Sequence, residues 1–290
     1  MKARSAFAHA AAALVLGLAC LYAAAPAGAQ AAPAHSADYK PAIGQDGKDV
    51  IWIPTEPNMV ERMLRMAQVT PRDIVVDLGS GDGRVSIAAA REFGARARGL
   101  EFNPDMVALS RREAQQAGVA DRVKFEEADI FQSDFSEASV VTMFLLPALT
   151  LRLRPVFLKM KPGTRIVSNQ FDLGDWAPDE TADLGGRLAY LWVVPAQVAG
   201  TWKLEVPATR DFELTLQQGF QRVAGWVKVA NGRSSLRDPI LSGNRLRFAL
   251  VDDKGLLFEF DGRVDGRKIS GDVRIAGGAP APFSGEQRDN

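Results

Sequence analysis

A glycine-rich loop between a short apolar run and a helix-forming segment constrains the fold of this chain most strongly. The apolar run 74–76 is too short for a helix and leads through Asp77 into glycines at positions 79, 81 and 83. The segment 85–91 that follows is rich in alanine and favours a helix. A strand, a glycine loop and a helix in this order build a nucleotide-binding site at the carboxyl edge of an open parallel sheet.

Three ligand-binding interpretations of the loop compete, beside a structural one. A phosphate-binding P-loop requires G-x-x-x-x-G-K-[ST], and the loop lacks the Lys-Ser/Thr pair. The motif G-x-G-x-x-G is typical of a dinucleotide-binding site. This loop has a second form, G-x-G-x-G, with Asp77 two residues before Gly79. That second form resembles the S-adenosylmethionine (SAM) loop of class I methyltransferases. An ordinary glycine-rich turn of an α/β domain is the structural alternative.

Acidic residues stand at the ends of the next two predicted strands. Glu101 closes a short strand 18 residues after Gly83, where a carboxylate accepts hydrogen bonds from both hydroxyls of a ribose. Asp129 stands at the end of the alternating run that starts at Val123. A solvated helix-start carboxylate and a loop-capping aspartate are the structural alternatives for these two residues. Asn103 is predicted to cap the helix that follows Glu101.

The N-terminus has the layout of a secretory signal peptide over residues 1–29. Lys2 and Arg4 precede an apolar run without acidic residues, and an A-x-A cleavage site ends at Ala29. An uncleaved inner-membrane anchor is the alternative. Both versions export the rest of the chain and place it in the periplasm. Residues 30–48 are rich in alanine, proline and glycine and are predicted to form a flexible lead-in.

Composition excludes several kinds of chemistry. Cys20 is the only cysteine and lies in the predicted signal, so the mature chain offers no disulfide, thiolate nucleophile or Cys-ligated metal. The only histidines, His9 and His35, precede the predicted folded domain, which therefore lacks a histidine base. We predict no metal site. The formal net charge of zero and the absence of a basic block give no indication of a nucleic-acid partner.

The last third of the chain changes to short alternating segments separated by tight turns. Turn signals such as Asn231–Gly232 and Asp261–Gly262 predict an antiparallel meander of about six to eight strands, folded as a small barrel or sandwich. The segment Leu188–Val194 before it is expected to complete the preceding sheet. The aromatic residues of the predicted meander are assigned to its core: Trp202, Phe212, Trp226, Phe248, Phe258 and Phe260.

Four short motifs together resemble one family. They are Trp52–Ile53–Pro54–Thr55, Asp77–Arg84, Gly99–Pro104 and Phe144–Leu145–Leu146–Pro147. The family is that of the seven-strand protein-lysine methyltransferases that modify the mitochondrial adenine nucleotide translocase and the ATP synthase c-subunit, with their bacterial relatives. The resemblance spans roughly residues 50–178, and Trp52 stands where the family usually has tyrosine.

The resemblance implies a set of site residues. Those expected to bind SAM are Asp77, Gly79, Ser80, Gly81, Gly83, Glu101, Phe102, Asp129 and Ile130, with Asp129 receiving the adenine amino group and Ile130 packing on the ring. Those expected to line the acceptor pocket are Trp52, Pro54, Thr55, Phe144, Leu146 and Pro147. The [DN]-P-P-[YF] motif of many amino-methylating enzymes is absent at 144–147. No catalytic residue is assigned, and Thr55 is also expected to cap the following helix.

The predicted fold class is therefore α/β: a Rossmann-like class I methyltransferase sheet with helices on both faces over 49–195, followed by a small antiparallel all-β domain over 200–287. The predicted function is SAM-dependent methyl transfer to an amine of a small molecule or a protein, with a protein lysine as one candidate. Contact with a membrane is expected only through the N-terminal segment, and the oligomeric state is left open. The alternative is an exported non-catalytic binding protein that keeps the SAM-type pocket and uses its β domain to recognise a partner or an envelope ligand.

Overall fold

Two β-sheets organise the part of the chain that the structure, a computed structural model, describes. The described residues are 39–206, 209, 211–230 and 232–288. The predicted signal peptide and the first part of the predicted lead-in lie outside them. Among the helices of the described ranges, none has the length and apolar character needed to cross a membrane.

The first sheet has seven strands in the order β3-β2-β1-β4-β5-β7-β6. They are β1 (Ile74–Leu78), β2 (Arg96–Glu101), β3 (Val123–Glu127), β4 (Val140–Met143), β5 (Arg165–Asn169), β6 (Glu180–Asp183) and β7 (Leu188–Val193). Strands β1 to β5 run parallel, while β7 is antiparallel to both β5 and β6. The order reverses between β1 and β4, and ligands of open α/β sheets bind at such a switch point.

Four helices pack on this sheet: α1 (Pro57–Met66), α2 (Arg84–Phe93), α3 (Pro104–Gln116) and α4 (Pro147–Phe157). Alternate residues of a strand face opposite sides, so Val75 packs in the core with the first three helices and Val76 in the core with α4. The predicted Rossmann-like sheet with helices on both faces is confirmed.

One helix cap follows the prediction and another does not. The Asn103 side chain accepts hydrogen bonds from the backbone N–H groups of Asp105 and Met106, at 2.9 and 3.3 Å, and caps α3. The predicted cap of α1 by Thr55 is wrong, because Glu56 is the cap residue and makes no side-chain cap bond. The Thr55 hydroxyl instead accepts a hydrogen bond from Asn169 Nδ2 at 3.3 Å, which ties the start of α1 to the end of β5.

The second sheet has nine antiparallel strands in the order β11-β10-β9-β8-β16-β15-β14-β13-β12. They are β8 (Gly200–Glu205), β9 (Phe212–Gly219), β10 (Arg222–Val229), β11 (Gly232–Ser235), β12 (Arg237–Ser242), β13 (Arg245–Val251), β14 (Leu257–Asp265), β15 (Lys268–Ile275) and β16 (Ala281–Gln287). The two end strands follow each other in the chain, and between them Leu236 N donates to Gly225 O of β10 at 2.9 Å. The sheet is therefore nearly closed, and it has more strands than the six to eight predicted.

Strands β11, β12 and β16 carry weak sequence signals, because their sequences lack apolar alternation or contain proline. Pro282 of β16 pairs with β15 only, since β8 pairs with residues 284–287 of the same strand. The missing N–H of this proline therefore costs no ladder bond.

The interior of the nine-stranded sheet is aromatic, as predicted for five of the six residues assigned to it. Phe260 lies at its centre, with its ring centroid 4.7 Å from that of Phe248 and 4.9 Å from that of Phe283. Trp226 was wrongly assigned to this core: it is half-buried, and the Arg233 guanidinium lies over its ring at 4.7 Å. An aromatic face that a cation can cover does not need burial.

Candidate functional site

A cleft of about 270 Å³ opens at the carboxyl edge of β1, β2 and β4. The glycine loop after β1 forms its floor, and the loops after β2, β3, β4 and β5 form its sides. The segment 45–55, which precedes α1, covers it from the remaining side. Because the carboxyl ends of parallel strands meet at one edge, residues far apart in the chain face one another here.

The glycine loop takes a backbone path that favours glycine. Gly79, Gly81 and Gly83 have φ angles of 74°, 53° and 83°, in the left-handed region that other residues adopt at a cost. A Cβ atom on Gly81 would lie 2.7 Å from Trp52 Nε1, so the loop passes directly beneath the Trp52 indole. The N–H groups of Gly79 and Ser80 both donate to Leu100 O, at 2.9 and 3.0 Å, which joins the loop to β2.

The Glu101 carboxylate is fixed by two backbone hydrogen bonds. Its Oε2 atom accepts from Gly81 N at 2.9 Å and its Oε1 atom accepts from Asn103 N at 2.9 Å. Each oxygen keeps a further lone pair, and the side chain lines the cleft. The carboxylate can therefore accept a pair of hydroxyl groups while the loop and the start of α3 hold it in place.

Asp77 is buried at the end of β1 and lines the cleft. Burial raises its pKa to about 7; a hydrogen bond from Thr142 opposes the rise, and the negative charges of Asp82 and Glu101 add to it. The sequence left open whether Asp77 binds a ligand or ties down the loop. The structure shows a bond to β4, since Thr142 Oγ1 donates to Asp77 Oδ1 at 2.7 Å.

Asp129 lies on the far side of the cleft, after β3, and forms an ion pair with Lys48 of the segment that precedes α1. Lys48 Nζ is 2.7 Å from Asp129 Oδ2 and 4.9 Å from the centroid of the Phe102 ring. The hydrogen bond from Lys48 and one from Phe131 N lower the pKa of the Asp129 carboxyl. The last residues of the predicted flexible lead-in thus contact the side of the cleft assigned to adenine.

The opposite end of the cleft is apolar and aromatic. Phe144, after β4, stacks on Phe171, after β5, with a centroid separation of 6.2 Å and an interplanar angle of 27°. Met143, Leu145, Leu146 and Leu149 line the same end, which carries no carboxylate among its lining residues from 143 to 171. The expected acceptor residues Trp52, Pro54 and Thr55 also line the cleft, with Trp52 over the glycine loop at Gly81.

Two of the expected site residues do not line the cleft. Gly83 is the cap residue before α2, and a Cβ there would lie 2.5 Å from the Phe125 ring, so this glycine permits packing of the loop on β3. Pro147 occupies the first turn of α4. The other thirteen residues of the two predicted sets line the cleft together.

Sequence reasoning missed Lys48, Gln170 and Phe171. Gln170 and Phe171 follow β5, which neighbours β4. Because loops at the carboxyl edge of a parallel sheet lie close together, these two residues could have been predicted. No signal marked Lys48, because its segment has the composition of a linker.

The cleft fits SAM. Its floor is a glycine loop, and side chains in place of these glycines would clash with neighbouring residues. Carboxylates stand at the ends of three adjacent strands. Glu101 can accept the ribose hydroxyls and Asp129 an exocyclic amine, while Phe102 and Ile130 offer apolar contact to a flat ring. This fold and this site define a class I methyltransferase.

Comparisons with known proteins agree. The family model described as the ANTKMT methyltransferase domain matches residues 77–180. A protein-lysine N-methyltransferase of Saccharolobus islandicus is 39% identical over 151 residues, which cover 50% of this chain and 94% of that protein. The mouse lysine N-methyltransferase named for the ATP synthase c-subunit is 35% identical over 147 residues, and the chain spans 59% of its length.

A solved structure extends the comparison to a bound ligand. The crystal structure described as an RNA methyltransferase from Salinibacter ruber in complex with S-adenosyl-L-homocysteine is 50% identical, with a TM-score of 0.50. The match covers 50% of this chain and 96% of that one. The chain belongs to the family of protein-lysine N-methyltransferases and is a SAM-dependent methyltransferase.

Proposed function

We propose that this chain methylates the side-chain amine of a protein lysine. The observation that carries the proposal is the apolar, aromatic end of the cleft around Phe144 and Phe171, beside the SAM loop. The S. islandicus relative, named a protein-lysine N-methyltransferase, supports the same acceptor. SAM, when bound, supplies an electrophilic methyl group on a positively charged sulfur.

The chain's own residues contribute position and desolvation. An ammonium group cannot attack, so a lysine must first lose its proton, and an apolar wall lowers the pKa of a lysine that it surrounds. Such a wall is formed by Met143, Phe144, Leu145, Leu146, Leu149 and Phe171. Holding the amine in line with its target is worth several kcal/mol of the barrier, by rough estimate from intramolecular reactions. No side chain is assigned a proton-transfer role.

The acceptor is tested with radiolabelled SAM and three classes of substrate. Arrays of lysine-containing peptides, the same peptides with arginine at each lysine, and total RNA are each incubated with residues 30–290. Methylated lysine in acid hydrolysates of the first array alone is expected. Label in the RNA arm without label in peptides would overturn the lysine proposal in favour of an acceptor like that of the S. ruber protein. Glu101→Ala, which removes a cleft carboxylate, is the control for label that does not depend on the cleft.

We further propose that residues 1–29 export the chain and are removed, so that the enzyme works in the periplasm. The basic start, the apolar run and the A-x-A site support this proposal. Fusion of residues 1–48 to alkaline phosphatase is expected to give active phosphatase, which requires an oxidising compartment. A fusion that lacks residues 7–25 is the control. Inactive phosphatase in the first fusion would contradict export, and active but membrane-bound phosphatase would indicate an uncleaved anchor.

A further inference from the structure

The turn between β9 and β10 leaves the nine-stranded sheet and contacts the first sheet's domain. The Phe220 ring in this turn stacks on the buried Trp176 indole at a centroid distance of 5.7 Å and an interplanar angle of 9°. Trp176 Nε1 donates to Gln221 Oε1 at 3.0 Å. The two residues of the turn thus hold one side chain in the segment between β5 and β6 from two directions.

The turn is itself held in an uncommon conformation. Phe220 has a φ angle of 55°, which a non-glycine residue keeps only where surrounding contacts determine it. Gln218 Nε2 donates to Phe220 O at 2.8 Å, and Gln221 Nε2 donates to Ala177 O at 2.6 Å. The Gln218 amide therefore fixes the backbone of the turn, and the Gln221 amide connects the turn to the backbone after Trp176.

The segment that receives the turn leads back to the acceptor end of the cleft. Trp176 forms a backbone bridge with Leu173, whose carbonyl oxygen accepts from Arg154 Nη1 of α4 at 2.9 Å. Thr150 Oγ1, also on α4, donates to Asp172 O at 2.9 Å. Phe171, the next residue toward β5, lines the cleft and stacks on Phe144.

We propose that Phe220 and Gln221 are positioning residues of the methyl-acceptor site, acting through Trp176 to place the Phe171 ring. This inference rests on the proposed function, because it takes Phe171 as part of the acceptor wall. It gives the nine-stranded sheet a task in the reaction: its β9–β10 turn adds to the hydrogen bonds from α4 and from Trp192 of β7 that already hold the segment after β5. Neither turn residue lines the cleft, so both act only through the intervening segment.

The first test observes Phe171 without any substrate. 4-Fluorophenylalanine is incorporated at position 171, and its ¹⁹F resonance is recorded in the otherwise unchanged chain and in variants. Phe220→Ala and Gln221→Ala are expected to shift or broaden the resonance. Phe220→Trp, which keeps a stacking ring, is expected to restore it. Gln217→Ala, on an exposed position of β9, and Trp226→Ala, at the partly exposed Trp226, are matched controls that leave it unchanged.

The second test is kinetic and uses the lysine peptide found in the acceptor screen. Phe220→Ala and Gln221→Ala are expected to lower kcat/KM for the peptide by about 10- to 100-fold, since small displacements far from the reacting atoms have effects of this size. The Kd of SAM is expected to stay unchanged, because the turn is remote from the glycine loop. In a Phe171→Ala background the Phe220→Ala change is expected to have little further effect.

The outcomes separate the two proposals. An unchanged ¹⁹F resonance in both turn variants, or equal losses of kcat/KM with and without Phe171, would overturn the positioning role while leaving lysine methylation intact. A shifted resonance in a protein that methylates no peptide would support the positioning role and contradict the acceptor. Circular dichroism and melting temperature of Phe220→Ala and Gln221→Ala exclude unfolding as the cause of a shifted resonance.

Discussion

Thr142 Oγ1 donates a hydrogen bond of 2.7 Å to Asp77 Oδ1, and both side chains are buried between the central strands β1 and β4. The bond joins the end of the strand that precedes the glycine loop to the strand that leads to the acceptor wall. It also favours the charged form of a carboxylate that burial would otherwise keep protonated. Asp77 is thereby held with a pKa of about 7, where a modest change in its surroundings alters its charge.

The first prediction is that SAM binds more tightly as the pH rises from 6 to 8. SAM carries a sulfonium charge, which an ionised Asp77 attracts and a protonated one does not. S-Adenosylhomocysteine lacks that charge and is the matched ligand. Calorimetry at each pH measures the Kd of both ligands. The Kd of SAM is expected to fall relative to that of S-adenosylhomocysteine as the pH rises, and the midpoint of this change is expected near the Asp77 pKa of about 7. Asp77→Asn is expected to abolish the trend. A ratio independent of pH in the wild type would contradict it.

The second prediction concerns the bond itself. Thr142→Val keeps the shape of the side chain but removes the donor, which leaves the Asp77 carboxylate without a hydrogen bond that lowers its pKa. The midpoint of the change in the affinity ratio of SAM to S-adenosylhomocysteine is expected to move to higher pH. Loss of one hydrogen bond to a charged group is expected to cost about 2 kcal/mol of unfolding free energy where Asp77 is ionised, and less at pH 5, where it is protonated. Urea unfolding at both pH values measures the difference.

The third prediction concerns Glu101. Glu101→Gln keeps an oxygen that can accept from the backbone but removes the charge that strengthens hydrogen bonds from ribose hydroxyls. SAM affinity is expected to fall by about 10- to 100-fold, which corresponds to the usual worth of a hydrogen bond to a charged group. Glu127→Gln, at the exposed end of β3, is the control and is expected to bind SAM normally. Equal Kd values for wild type and Glu101→Gln would remove Glu101 from the SAM site.

The first sheet was predictable because its signals are local. The parallel strands are short apolar or alternating runs, and the loops after β1, β2 and β3 carry glycine, asparagine or aspartate at the position that a turn or a cap requires. Glu101 and Asp129 could be assigned because spacing from the glycine loop indicates which strand they end. The short edge strand β6 (Glu180–Asp183) gave no such signal, since its pairing with β7 depends on the tertiary fold.

The missing parts of the site depend on contacts between distant segments. Lys48 reaches Asp129 across 81 positions of the chain, and Phe220 reaches Trp176 across the two sheets. Neither the charge of one lysine nor the ring of one phenylalanine distinguishes it from other surface residues. The positive φ angle at Phe220 gave no signal, because position 220 itself carries neither glycine nor asparagine.

The fourth prediction concerns stability in acid. Burial works to raise the pKa of Asp73, but hydrogen bonds from Ser139, Arg165 and Thr70 outweigh it and lower the pKa below its ordinary value. A carboxylate with a lowered pKa stabilises the fold above its unfolded pKa of about 4, and the contribution is lost as the pH falls through the folded value. Asp73→Asn is expected to destabilise the protein by about 2 kcal/mol at pH 7 and by much less at pH 3.

The control for this prediction is another aspartate paired with arginine. Asp261 pairs with Arg245 on the outer surface of the nine-stranded sheet, and both side chains are more than 40% exposed. An exposed pair of this kind contributes about 0–1 kcal/mol, so Asp261→Asn is expected to change the unfolding free energy little at either pH. Equal effects of the two substitutions at pH 7 would show that the buried position of Asp73 confers no advantage.

The fifth prediction tests the approach of the glycine loop to the segment above it. Gly81→Ala imposes two penalties: a Cβ at a φ angle of 53°, and a contact of 2.7 Å with Trp52 Nε1. Gly118→Ala imposes only the first, because its φ angle is 68° and a Cβ there meets no atom within 4 Å. We expect Gly118→Ala to cost about 1–2 kcal/mol of stability and to bind SAM normally. Gly81→Ala is expected to cost more and to weaken SAM binding at least tenfold, on the order of 1.4 kcal/mol.

The double variant Gly81→Ala/Trp52→Ala separates the two penalties. Removal of the indole relieves the contact but not the φ strain, so its unfolding free energy should exceed the value expected from adding the two single effects. Strict additivity would mean that Trp52 moves aside without cost, and the segment before α1 would then be a loose cover of the cleft rather than a fixed wall.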